Sequence, residues 1–160
     1  MEFALALPLL LVVIAGIVDF GFLFQRYEVL TNAAREGARI ASLPGYVTCG
    51  ANPGDPASSF AGVDSRVRSY VQQGLSLSTS QMAVVMPADS VDVSCEQMSV
   101  SNPGGGTIDV DTVRVGASYN HTFLLLGPVL GLIDKTWGNA MTLTARSEMR
   151  LEAQTVVPGP

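Results

Sequence analysis

Residues 1–24 read MEFALALPLLLVVIAGIVDFGFLF, and Phe3 to Val18 within them carry no charge. As a helix, this stretch would be about 36 Å long at roughly 1.5 Å per residue. The hydrocarbon core of a bilayer is about 30 Å thick. The sequence therefore predicts that residues 3–24 cross a membrane once, with membrane lipid as a partner.

A secretory signal peptide is the alternative interpretation of this stretch. The apolar region of a signal peptide is usually about 7–15 residues long and is followed by small residues at a cleavage site. Here the apolar run is longer, contains Asp19, and continues into an amphipathic pattern, so we expect the segment to be retained. Asp19 is expected near the membrane interface, because a carboxylate at the bilayer centre costs about 2.5–3.5 kcal/mol.

The helical pattern continues through residues 25–42, which read QRYEVLTNAAREGARIAS. Charged and amide side chains recur at helical spacing and form a polar face, made of Glu28, Asn32, Arg35 and Arg39. The opposite side is a stripe of mostly small residues: Leu30, Ala33, Ala34, Gly37, Ala38 and Ala41. Small residues four apart allow a second element to pack closely. The spacing predicts helix packing at this stripe, either against another subunit or against the chain's own domain.

Residues 43–160 have the pattern of one small domain that contains helix and strand. Pro44 and Gly45 end the long helix. A second helix is predicted from Val63 to Gly74, with Val63, Val67, Tyr70 and Val71 on its inward face. Alternating apolar residues predict strands over 91–95, 110–120 and 141–152, with a glycine-rich turn at 101–106.

The predicted fold class is α+β, with a long N-terminal helix leading into a small antiparallel sheet. The strand over 110–120 pairs with the last strand, and its expected core face is Val113, Val115, Ala117 and Tyr119. The apolar segment 123–133 is too short and too broken to span a bilayer. It is expected to form a loop or short helix that either covers the sheet or touches the membrane surface.

Composition and charge argue against several functions. The net charge is −5 and the sequence has no basic patch, so nucleic acid is not a predicted partner. One histidine and two separated cysteines do not make a zinc-binding pattern. His121 is the one candidate imidazole base, but no G-x-S-x-G motif accompanies it, and we expect a surface or strand-end residue. We predict no cofactor, no metal and no enzymatic activity.

The two cysteines and the basic residues give opposite indications of orientation. Cys49 and Cys95 favour one disulfide in an oxidising compartment, with two buried free thiols as the alternative. Arg26, Arg35 and Arg39 all follow the apolar run, and by the positive-inside rule they would keep the domain in the cytoplasm. A basic leader before Met1 would reconcile the two indications.

Three stretches of the long helix together resemble one family. Residues 2–11 read EFALALPLLL, residues 19–21 read DFG, and residues 32–39 read NAAREGAR. In order and spacing they are similar to the TadE-like (TadE/TadG) proteins, which are minor pilins or pseudopilins of the tight-adherence pilus, a type IV-like system. The resemblance covers residues 1–42, and the rest of the chain is compatible with it.

The resemblance implies a pilin-like protein that acts in assembly. Glu2 and Phe3 would be the family's Glu-aromatic pair, and a prepilin peptidase would cut the precursor after a glycine just before them. The chain departs from this pattern, because the sequence given starts at Met1 without the basic leader or the glycine. Either the start is truncated or misassigned, or this copy is not processed.

We therefore expect a non-enzymatic minor pilin-like subunit that takes part in assembly of an adhesive pilus. Residues 1–42 would be the transmembrane and assembly helix, and residues 43–160 the periplasmic or extracellular domain. The expected location is the inner membrane, with incorporation into an extracellular pilus. The expected partners are other pilins and the inner-membrane pilus assembly proteins. The alternative is a single-span anchored periplasmic binding domain that never enters a fibre.

Overall fold

Helix α1 runs without interruption from Glu2 to Ala41. The structure is a computed structural model and describes residues 2–49, 57, 59–101, 103–128 and 140–151, with the backbone alone at 2–5 and 108. The apolar first half and the amphipathic second half of the predicted helix are therefore one element of 40 residues.

The remaining described elements form a small α+β unit. Helices α2 (Ala61–Gly74) and α3 (Thr79–Val85) precede strands β1 (Val91–Ser101), β2 (Thr107–Thr122) and β3 (Ala140–Arg150). Within the described residues the three strands form one antiparallel sheet in the order β1-β2-β3. A long N-terminal helix leading into a small antiparallel sheet is the predicted fold, and it is confirmed.

The core lies between the sheet and the second half of α1, with α2 packed beside them. The predicted inward face of β2 is confirmed, because its four residues are at most 3% exposed: Val113, Val115, Ala117 and Tyr119. Alternate residues of a strand point to the same face, so one sheet face supplies this apolar layer. Leu143 and Ala145 of β3 extend the layer on one side. Val91 and Val93 of β1 extend it on the other.

The small-residue stripe of α1 is buried inside this core. Leu30, Ala33, Ala34, Ala38 and Ala41 are each 0% exposed, and Gly37 is also buried. A Cβ atom added at Gly37 would lie 2.6 Å from Cγ2 of Val67 and 3.2 Å from Cγ1 of Val115. Of the two alternatives for the stripe, the structure therefore shows close packing against α2 and β2 of the same chain.

The two helices after α1 and the length of β1 differ from the sequence prediction, since β1 continues to residue 101 instead of ending at 95. Tyr70 was predicted to face inward, but it is 39% exposed, because it lies at the edge of a stripe centred on Val67. Helix α3 was not predicted. Its start is a capping box in which the Ser78 hydroxyl accepts from the Gln81 backbone N–H, and the Gln81 side chain accepts from the Ser78 N–H. The sequence STSQ at 78–81 carries that signal.

A disulfide joins Cys49, in the loop after α1, to Cys95 of β1, and the predicted pairing is confirmed. Near it, the Ala57 N–H donates to the Val93 carbonyl at 2.9 Å, which also ties the loop to β1. The two cysteines are 46 residues apart. In the chain-entropy model, closing a loop of that size stabilises the folded state by on the order of 4 kcal/mol.

The Gly37→Ala variant tests the close approach of α1 to its own domain. Val67 and Val115 are β-branched and stiff at χ1, so neither side chain rotates away cheaply. Overpacking a core costs about 1–3 kcal/mol, whereas alanine in a helix gains about 1 kcal/mol over glycine. We expect a net loss of about 1 kcal/mol in the free energy of unfolding of the full chain in detergent.

Gly21→Ala is the matched control in the same helix, since a Cβ added there would have no described atom within 4 Å apart from the neighbouring backbone of α1. This variant is expected to unfold at the same or higher denaturant concentration than the wild type. Equal stability of the two variants would contradict the packing described at Gly37.

Candidate functional site

The first half of α1 presents an apolar surface that the rest of the described chain does not cover. Most of its large side chains are between 39% and 69% exposed: Leu7, Leu9, Leu10, Leu11, Val12, Val13, Ile14, Ile17, Val18, Phe20, Phe22 and Phe24. Contiguous apolar patches of this size mark membrane or protein contacts. By length and composition, α1 is the one helix in the described part of the chain that could cross a membrane, and an 18-residue stretch of it has a mean hydropathy of 2.5.

Asp19 is the exception on this surface. Between Ala6 and Phe24 it is the one buried residue, at 1% exposed, and it is also the one charged residue. The residues that cover its carboxylate are 124–126, in the turn that follows β2. The burial pattern is therefore inverted in this half of the helix, where the carboxylate is inside and the apolar side chains are outside.

Three backbone N–H groups bind the Asp19 carboxylate. Leu124 donates to Oδ1 at 3.2 Å, and Leu126 donates to Oδ2 at 2.7 Å. The N–H of Leu125 lies between the two oxygens, at 3.2 Å from Oδ1 and 3.0 Å from Oδ2. Residues 126–128 are helical, so these are donors at the start of a helical turn that have no partner within the turn.

Hydrogen bonds to a charged acceptor are stronger than neutral ones, at about 1.5–3 kcal/mol each. Both oxygens of the Asp19 carboxylate and all three N–H groups of the turn therefore have a hydrogen-bond partner. The interfacial depth expected for Asp19 stays a prediction. What the structure adds is that the charge is solvated by the protein's own backbone.

A second polar contact links α1 to the end of β2. The Arg26 guanidinium donates from Nη1 to Nδ1 of His121 at 2.6 Å, and its Cζ lies 5.8 Å from the centroid of the Tyr119 ring. The His121 ring is 1% exposed and meets the Phe123 ring edge-on, with centroids 5.0 Å apart. Because Nδ1 accepts a hydrogen bond, the proton of the neutral imidazole is on Nε2, which has no hydrogen-bond partner among the described residues.

Of the two predicted placements of His121, surface or strand end, the structure shows the end of β2, with the ring buried. Burial lowers the pKa of His121, and the positive charge of Arg26 lowers it further, while Asp19 acts weakly in the opposite direction. The ring contacts a guanidinium rather than a hydroxyl or thiol, so its described contacts lack the nucleophile–base pair of covalent catalysis.

Other predicted site residues are placed as follows. The backbones of Glu2 and Phe3 lie in the first turn of α1, and their side chains lie outside the described part of the structure. Among the residues that are described, no group of three or more His, Cys, Asp or Glu side chains could hold a metal ion. Sequence reasoning missed the partners of Asp19, although an isolated carboxylate in an apolar run was a signal that a partner existed.

These features define a class: a protein in whose described residues one apolar helix fits a membrane span and continues into a small disulfide-bonded α+β domain. Residues 1–39 match the family model described as TadE-like protein, which confirms the resemblance over nearly all of α1. That family is structural and is associated with the tight-adherence pilus. No curated protein and no solved structure matches the chain.

The His121→Gln variant tests the burial of a neutral imidazole. The folded state binds a proton at His121 less readily than the unfolded state does, because its pKa is lowered. As the pH falls below about 6.5, the unfolded state takes up that proton and the folded state loses stability. Glutamine cannot take up a proton, but its side-chain oxygen can still accept from Arg26.

We expect urea unfolding midpoints of the wild type to fall more steeply than those of His121→Gln between pH 7 and pH 5. Aspartate and glutamate side chains titrate in both proteins. The difference between the two plots of unfolding midpoint against pH is therefore due to the protonation of His121. Parallel curves over this range would contradict the neutral, buried ring.

Proposed function

We propose that this protein is a minor pilin-like subunit, or pseudopilin, that takes part in assembly of a tight-adherence pilus. The observation that carries the proposal is the exposed apolar half of α1, in a chain whose residues 1–39 match the TadE-like family model. In water such a surface would aggregate. The helix therefore needs lipid before assembly and other helices after it.

Residues 1–42 are the membrane and assembly segment in this proposal, and residues 43–160 are the exposed domain. The second half of α1 is part of the domain core, so the apolar first half is joined to the domain through one continuous helix. A force or displacement applied to one part is transmitted to the other. Such a coupling suits a subunit that is extracted from a membrane and placed in a fibre.

The partners in this proposal are other pilins and minor pilins, together with the inner-membrane assembly proteins. A prepilin peptidase is a further partner if a leader precedes Met1. The surface available to neighbouring helices is the exposed face within residues 7–24, because the stripe from Ala33 to Ala41 is covered by the chain's own α2 and β2. Packing between subunits is therefore assigned to the first half of the helix.

The proposed location is the inner membrane, with the domain in the periplasm. The disulfide between Cys49 and Cys95 supports this orientation, because disulfides form and persist in oxidising compartments. No enzymatic step is assigned to the protein. The family supports a structural role, and the described contacts of His121 supply no catalytic pair.

The Glu2→Ala variant tests the assembly role. In the proposal, the Glu2 carboxylate compensates the N-terminal amine of a neighbouring subunit, and the backbone of Glu2 is in the first turn of α1, at the positive end of the helix dipole. The variant is expected to remain in the membrane fraction while the number of pili per cell falls. Glu28→Ala is the control, since Glu28 is an exposed glutamate of the same helix beyond the apolar run. Normal pilus counts with Glu2→Ala would rule out this role.

The alternative function is an anchored periplasmic binding domain that never enters a fibre. Cross-linking from the exposed apolar face separates the two functions. Ile17 is 68% exposed on that face, and Val84, which is 74% exposed on α3, serves as the control for random collisions. We expect Ile17→Cys to cross-link to other pilus subunits in sheared pili, and more efficiently than Val84→Cys. Absence of the protein from sheared pili would favour the anchored domain.

A further inference from the structure

The turn after β2 exposes two large apolar side chains close to the apolar half of α1. Leu124 is 69% exposed and Leu125 is 41% exposed, although their backbone N–H groups are bound to Asp19. Polar backbone groups thus face the helix while apolar side chains face away from it. This arrangement is the reverse of an ordinary surface turn in water.

Asp19 fixes the position of this turn along α1. The predicted span ends at Phe24, five residues beyond Asp19, which corresponds to about 7.5 Å at roughly 1.5 Å per residue. The N–H groups of Leu124 and Leu126 lie within 3.2 Å of the carboxylate. The turn is therefore at the same level as Asp19, inside the end of the proposed span.

A second contact fixes the direction of the chain. His121 binds Arg26, which is seven residues, or about 10 Å, further along the helix than Asp19. From His121 to Leu126 the chain therefore runs beside α1 toward its N-terminus. In the proposed orientation this direction leads from the periplasm into the membrane.

We propose that residues 123–126 enter the bilayer beside α1 and form a second lipid contact of the protein. This inference rests on the membrane span assigned under Proposed function. The occupant of the surface is lipid, because the exposed side chains of Leu124 and Leu125 are continuous in depth with those of Phe20 and Phe22, which are 52% and 43% exposed.

The chemistry of the turn fits a hydrocarbon environment. In lipid, every backbone N–H group without a partner costs several kcal/mol, and a carboxylate without a partner is also costly. The hydrogen bonds between the Asp19 carboxylate and the three N–H groups avoid both of these free-energy costs. The carboxylate thereby holds the turn in the membrane, and the turn in return shields the carboxylate from lipid.

Depth-dependent fluorescence quenching tests the proposal on the full chain in vesicles of phosphatidylcholine and phosphatidylglycerol. Leu124→Cys is labelled with an environment-sensitive nitrobenzoxadiazole dye. No free cysteine is present among the described residues, so the label is specific in the oxidised protein. Phe20→Cys is the reference within the span, and Val84→Cys is the reference on the exposed domain.

The expected result is a blue-shifted emission at position 124, with quenching by nitroxide-labelled lipids as strong as at position 20 and absent at position 84. Quenching at 124 by aqueous iodide instead of lipid would overturn the inference and leave the span intact. A label at 124 that neither quencher reaches would also overturn it, because protein and not lipid would then cover the turn. Failure of lipid quenching at position 20 would refute the span itself.

The Asp19→Leu substitution in the Leu124→Cys protein tests the role of the carboxylate. Leucine keeps the span apolar but cannot accept the three N–H groups. We expect lipid quenching at position 124 to fall while the Cys49–Cys95 disulfide, monitored by non-reducing electrophoresis, remains. Unchanged quenching at 124 in this variant would show that Asp19 does not hold the turn in the bilayer.

Discussion

The close approach of α1 to its own domain at Gly37 is the constraint on which the rest of the structure depends. A side chain at this position would meet Val67 of α2 and Val115 of β2, so the absence of a Cβ lets all three elements meet. The alanines on either side extend the same contact along the helix. The second half of α1 is thereby the central core element of the domain and not a connector to it.

This packing gives the two halves of α1 different surroundings. The second half is buried on its small-residue side, whereas the first half projects with its apolar side chains exposed. Among the described residues from Ala6 to Phe24, Asp19 is the one that is buried, and backbone N–H groups cover its carboxylate instead of apolar side chains. The helix is consequently fixed to the domain through close packing near Gly37, through the Arg26–His121 contact and through the hydrogen bonds at Asp19.

Most of the fold could be predicted from local patterns. The apolar run and the helical spacing over 25–42 predict one long helix, and the alternation along β2 predicts its inward face. These patterns depend on neighbouring residues, and both predictions are confirmed. The disulfide was predicted from two cysteines that follow a membrane span, and it is confirmed. Helix α3 was missed because seven residues carry little periodicity, and its capping box is a weak signal unless the following helix is already suspected.

The sequence by itself determined helices α1 and α2, the three strands and the apolar faces of α1 and β2, because those properties depend on residues within a few positions of one another. Tertiary structure alone decided what the small-residue stripe contacts, what covers Asp19 and how deeply His121 is buried. The Asp19 contacts join residues 105 to 107 positions apart, and the Arg26–His121 contact joins residues 95 apart. Pairings at such separations depend on how β2 crosses α1, and local composition does not specify that crossing.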